Sequence, residues 1–87
     1  MGVGAALKAR ESVRLLETIL ALELMTAAQA LEFVKPLRPG RGVQLAYERV
    51  RAVVPPLEGD RIMHIDIEAV ERLVRVGEFA AVYRDCE

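Results

Sequence analysis

Eighty-seven residues are enough for one small domain at most, and a chain of that size buries only about 60% of the surface its unfolded form exposes. Yet 53% of the residues are apolar and the mean hydropathy is +0.22, so part of this apolar content is expected to meet a partner. Twelve basic against thirteen acidic residues leave no positive field for nucleic acid, and a single cysteine, Cys86, excludes an internal disulfide or a cysteine-built metal site.

The first predicted element is a long helix over residues 3–34, rich in Ala, Leu, Glu, Lys and Arg and free of internal helix breakers. In its first half Ala6, Ala9, Val13, Leu16 and Leu20 recur at three- and four-residue steps on one face. Lys8, Glu11, Arg14 and Glu17 lie on the other face, where Lys8–Glu11 and Arg14–Glu17 are spaced to pair. The second half changes character. Between Ile19 and Leu31 only Glu23, Thr26 and Gln29 are polar, so the helix is apolar nearly all round, which implies burial on every side. A rod of about 45 Å cannot be enclosed by the residues that follow it. The same apolar run is interrupted by Glu23 and Gln29 and falls short of the roughly 20 residues a membrane span needs. The N-terminus lacks a basic segment leading into a continuous apolar core, and the expectation is a soluble, cytoplasmic protein.

Pro36 ends the rod by disfavouring helical geometry at Lys35. A turn-rich connection over 35–41 leads to a second helix over 43–54, with Val43, Tyr47, Val50 and Val54 on one stripe, Ala46 and Val53 beside it, and Gln44, Glu48 and Arg51 facing away. Pro55 and Pro56 close it, and a loop around Gly59 and Asp60 follows. A third helix is expected to start at Asp66 as its N-cap, with Glu68 in the positive first turn and Ile65 stapled against Val70. Val70, Leu73, Val74 and Ile67 form its buried edge, Gly77 ends it, and residues 79–83 add one more turn. The fold class is all-α: one long helix and two or three shorter ones, a single segment over residues 1–87 that reads as a piece of a larger bundle.

Few residues carry chemistry. His64, Asp66 and Glu68 alternate in the manner of ligands on a strand, but at a helix start Asp66 is better read as a cap, and a fourth metal ligand is missing. His64 has no Ser or Cys nucleophile positioned to serve it. Glu23 in the apolar half of the rod is open to a role as a tuned acid or base. The reading preferred here joins Glu23, Thr26 and Gln29 in a structural polar seam hydrogen-bonded to neighbouring helices. Lys35, Arg38 and Arg41 offer an anion site or, more simply, a solvated loop with Lys35 favoured at a helix C-terminus. Cys86 reads as an ordinary tail thiol. No catalytic, cofactor-binding or metal-binding residue is assigned.

Several stretches together resemble a known family. The run Ala9-Arg10-Glu11, through Leu20-Ala21-Leu22-Glu23-Leu24, to Ala27-Ala28-Gln29-Ala30-Leu31 is similar to the long C-terminal helix of the histidine and aromatic amino-acid ammonia-lyases. Tyr47 to Pro55, Leu57, Asp60-Arg61 and Asp66-Ile67-Glu68 follow in matching order, with Ile65 standing where many members carry proline. The resemblance implies a homotetrameric helical protein several times longer, which eliminates ammonia through a methylidene-imidazolone electrophile made from an internal Ala-Ser-Gly. Ser12, the one serine, lies between Glu11 and Val13, so the electrophile would belong to an upstream portion, as would the family's other principal catalytic positions. The chain then looks like a truncated, split or separately started C-terminal portion with a structural role. Its expected partners are itself, as dimer or tetramer with long helices most simply antiparallel, and the upstream lyase portion. The competing reading is a stand-alone helical module that self-associates without any lyase partner; an independent small enzyme is a third and weaker one.

Overall fold

In the computed structural model, residues 2–59, 61 and 63–85 are described; Asp60 of the expected loop and the tail thiol Cys86 lie outside them. Four helices follow one another: α1 (Gly2–Phe33), α2 (Arg41–Arg51), α3 (Met63–Arg75) and α4 (Glu78–Asp85). Among the described residues there is no strand, and the all-α expectation holds.

The punctuation explains the boundaries. α1 runs without interruption for 32 residues because its composition favours helix throughout, and it unwinds through a turn over 34–36 just where Pro36 requires it. α2 begins two residues earlier than its hydrophobic stripe and stops at Arg51, with Ala52 as C-cap. Pro55 and Pro56 follow before another helical turn can form. Gly77 sits at φ +80 between α3 and α4, a left-handed conformation that glycine adopts without the Cβ penalty. α4 is longer than the single turn expected over 79–83.

α3 departs from the expectation at its start. It begins at Met63, three residues before Asp66, so Asp66 lies inside the first turn and does not cap the helix. Ile65 is accordingly helical and 58% exposed, so the staple against Val70 does not form. Glu68 lies beyond the first turn and is exposed. The expected buried edge of Ile67, Val70, Leu73 and Val74 is the covered side of the helix, with Val70 fully buried.

α1 packs chiefly on α3 and less extensively on α2; α4 bridges α2 and α3. The centre consists of small side chains: Ala21 and Ala28 of α1 meet Val50, Val54 and Val70, with Leu24, Met25, Tyr47, Ala69 and Phe79 around them. Alanines seven residues apart on one face let the neighbouring helices approach closely. The whole measures 54 × 37 × 16 Å. A helix with its side chains is about 10–12 Å across, so the assembly is scarcely more than one layer thick. One layer cannot wrap the rod that runs along it.

Candidate functional site

The densest polar cluster sits where α1 meets α2. Glu32, one turn from the end of α1, receives the Arg51 Nε at 2.8 Å and the Lys35 Nζ at 2.8 Å, and the Tyr47 hydroxyl donates to the same carboxylate. Its side chain is only 15% exposed. Hydrogen bonds from Lys35 first, then Tyr47, together with Arg51, hold the Glu32 carboxyl at a pKa of about 2 against the ordinary 4.5. The same contacts raise Lys35 above its ordinary 10.5. Both cations also lie over the Tyr47 ring, Lys35 Nζ at 5.4 Å and the Arg51 guanidinium at 5.3 Å from its centre. Arg51 was expected to face solvent. It turns inward because Glu32 sits one helix away, and it also donates to the Val54 carbonyl at 3.2 Å. The available signal was the pairing of Tyr47 and Arg51 at i,i+4 with Glu32 and Lys35 at i,i+3, two elements that a proline turn folds onto each other.

A second cluster fixes the loop between α2 and α3. Arg61 donates to the Pro55 carbonyl at 2.6 Å, the Pro56 carbonyl at 3.2 Å and the Asp66 carboxylate at 2.7 Å. Asp66 therefore holds a guanidinium clamp in place of the helix end. His64 and Glu68 are exposed and stand four residues apart on one face of α3, while Asp66, two residues from each, lies on the other side of the helix. Among the described residues no three His, Cys, Asp or Glu side chains gather as a metal site would need.

The three seam residues have different surroundings. Gln29 accepts the Leu57 N–H at 3.0 Å and donates to the Leu57 carbonyl at 3.5 Å, pinning the loop to α1. Thr26 is exposed and returns its hydroxyl to the Leu22 carbonyl of its own helix at 2.8 Å. Glu23 is exposed and borders a hollow of about 450 Å³ with Leu20, Leu24, Ala27, Val74, Gly77, Phe79 and Ala80. Lys35, Arg38 and Arg41 do not converge on an anion site: Lys35 is engaged by Glu32 and Arg41 by the Asp85 carbonyl at 3.2 Å. Glu17 is drawn away from Arg14 to the Arg75 guanidinium at 3.0 Å, and the expected Arg14–Glu17 pair is replaced by this bridge between α1 and α3.

The largest chemical feature is apolar. Residues 2–16 of α1 are exposed throughout, including Leu7 at 56%, Val13 at 55%, Leu15 at 66% and Leu16 at 53%. In the second half Ile19, Leu20 and Leu22 are also open, while Leu24, Met25 and Leu31 are partly covered. At roughly 100° per residue the open positions form two stripes. One follows Val13, Leu16, Leu20, Glu23 and Ala27; the other follows Leu15, Ile19, Leu22, Thr26 and Phe33. The face that α2 and α3 cover, around Ala21, Leu24 and Ala28, is the third. The faces lie roughly a third of a turn apart. Among the described residues, α2, α3 and α4 cover one of these faces and leave the other two open.

The protein is thus of the all-helical class, a layer with one under-covered rod, and its likeness to known proteins gives it a family. The family model described as aromatic amino acid lyase matches residues 1–52. The histidine ammonia-lyase of Myxococcus xanthus (strain DK1622) is 50% identical over 84 residues, covering 97% of this chain and 16% of that relative. That of Anaeromyxobacter sp. (strain K) is 53% identical over 77 residues, 88% of this chain and 15% of the relative. That of Caldanaerobacter subterraneus subsp. tengcongensis is 45% identical over 85 residues, 98% and 17%. No solved structure matches. The chain belongs to the aromatic amino acid lyase family, and it spans about 16% of the length of such relatives. The residues present do not fit the electrophile that the resemblance implies: Ser12 lies between Glu11 and Val13 on the exposed surface of α1.

Proposed function

We propose that this chain is a structural, oligomer-forming portion of a histidine ammonia-lyase-like protein and carries no catalytic group of its own. The observation behind the proposal is the open apolar surface of α1: Val13, Leu15, Leu16 and Ile19 are each at least half exposed on a helix already packed on its third face. Burying each such side chain against another helix is worth roughly 1.5–3 kcal/mol, a large sum beside a typical stability of about 5–15 kcal/mol. The histidine specificity rests on the names of the relatives. In such an assembly α1 would sit in the central bundle and the Glu32 and Arg61 clusters would hold α2 and α3 against it.

A chimera tests this reading. The 84 matching residues of the Myxococcus xanthus enzyme are replaced by this chain, and a deletion lacking them is mixed with the chain in trans. The chimera is expected to fold as an oligomer and convert histidine to urocanate, while the purified chain alone produces none. Urocanate formed by the isolated chain, or a chimera that is folded but monomeric, would overturn the proposal. A chain that self-associates yet leaves the chimera without an oligomer would favour the stand-alone module.

A further inference from the structure

α3 and α4 are held to the rest of the fold in different ways. α3 enters the core through Val70, which is fully buried, and is tied to α1 by the Arg75–Glu17 pair and by the Thr18 hydroxyl, which donates to Glu71. α4 brings only Val82 to a buried position, with Phe79 partly covered beside the core. Among the described residues, the ion pairs and side-chain hydrogen bonds of α4 to other helices all run to α2, and most of them converge on one side chain. Arg49 Nη2 lies 2.9 Å from the Asp85 carboxylate, and its Nε lies 3.5 Å from that of Glu78; Arg41 adds a bond to the Asp85 carbonyl at 3.2 Å. We propose that α4 is a hinged strap, latched to α2 by the Arg49 guanidinium and released at Gly77 when that charge is screened, while α1, α2 and α3 stay packed. The inference is independent of the oligomer-forming role above.

Geometry makes the latch effective. Glu78 and Asp85 are seven residues apart, two turns on one side of α4, so a single guanidinium placed between them takes hold of the helix at both ends. A helix of eight residues is too short to persist undocked, so leaving α2 and melting are one event. The dipole acts in the same sense. Asp85 stands at the negative end of α4, where a carboxylate is disfavoured unless a cation offsets it. Once the latch is screened, Asp85 promotes the unwinding. The hinge is built for the motion: Gly77 holds φ +80, and a Cβ placed on it would meet nothing within 4 Å. Toward α1 the strap is held loosely. A hollow of about 450 Å³ is lined by Phe79 and Ala80 on one side and by Leu20 and Ala27 on the other. Release of α4 removes one wall of this hollow and widens the opening beside Glu23. Solvent ions reach the latch directly, because the Arg49 and Asp85 side chains are 37% and 53% exposed.

Hydrogen exchange of the whole chain, read by mass spectrometry at about 0.01 M and about 1 M sodium chloride, tests the strap. Over that range the screening length falls from about 30 Å to about 3 Å. Exchange across residues 78–85 is expected to quicken about three- to fivefold at high salt, with α3 and the middle of α1 unchanged. Arg49→Gln keeps the length of the side chain and removes the charge; its α4 is expected to exchange fast at both salt concentrations, with the salt response gone. Asp85→Asn is expected to act in the same direction from the other side of the latch, and reads the same pair should Arg49→Gln not fold. Gly77→Ala strains the docked form, and is expected to quicken α4 about fivefold at both salt concentrations while keeping their ratio. A salt response of α4 that survives both Arg49→Gln and Asp85→Asn would overturn the latch. Quickening of α3 together with α4, or an α4 indifferent to Gly77→Ala, would overturn the hinge. Exchange of α4 that is the same at both salt concentrations in the native chain would overturn the proposal as a whole.

Discussion

Glu32 ties α1 to α2 through the Arg51 guanidinium and the Tyr47 hydroxyl. Its pKa of about 2 lies below the ordinary 4.5, so the native carboxylate stays ionised where the unfolded one takes up a proton. The unfolded chain then binds more protons in this interval, and stability rises with pH through it. The contribution is fully present above 4.5 and is lost as pH falls through about 2. Melting followed by circular dichroism is expected to show a steeper loss of stability over this window in the native chain than in Glu32→Gln, which keeps the shape and removes the titration. At neutral pH the same variant is expected to melt a few degrees lower. Equal pH slopes for the two proteins would contradict the assignment. Lys35 has the opposite sign: its raised pKa adds stability that persists below 10.5 and disappears as pH rises through the folded value. Glu23 differs from Glu32 in having open surroundings. If the open face of α1 associates, Glu23→Gln is expected to leave association nearly unchanged and Glu23→Leu to strengthen it, since a carboxylate between apolar helices is costly to desolvate; sedimentation of the three proteins measures this.

The elements were legible where a local signal settles them and misread where a distant partner decides. The prolines at 36, 55 and 56 and the glycine at 77 act within a residue or two, so the ends of α1, α2 and α3 fall close to their expected places. The start of α3 does not. Asp66 has the chemistry of an N-cap, but Arg61 lies five residues back and takes its carboxylate at 2.7 Å, and an ion pair that also gathers two loop carbonyls outweighs one capping bond. Arg51 and Glu17 were misread for the same reason, each drawn to a charge on another helix. The Arg61 clamp yields a prediction at this scale. Arg61→Ala removes donors from the Pro55 and Pro56 carbonyls and from Asp66 together, and is expected to cost about 2 kcal/mol in urea denaturation. Hydrogen exchange is expected to quicken at the start of α3 and at Leu57, with the middle of α1 little affected. Uniform quickening across α1 would mean that the loop contributes to the core itself and is more than a clamp.

At the scale of the whole molecule, the apolar character of α1 on several sides was legible in the sequence, and the structure leaves two of its faces open. The sequence did not show which third of that surface the chain covers, because the covering side chains come from α2 and α3 and their register depends on close approach at Ala21 and Ala28. With that face assigned, the remaining surface has a thermodynamic consequence. A layer 16 Å thick with a core of alanines and valines is marginal by itself, so association should supply much of its stability. If unfolding is coupled to dissociation, each tenfold rise in concentration adds about 1.4 kcal/mol. Spread over two chains of this length, that corresponds to an increase in melting temperature of about 3–5 °C per decade. Calorimetry across three decades of concentration is expected to show this slope, and Leu16→Asp is expected to flatten it while lowering the melting temperature at high concentration. A melting temperature independent of concentration in the native chain would mean that the single layer is stable without a partner, and that the open face of α1 contributes nothing to holding the fold together.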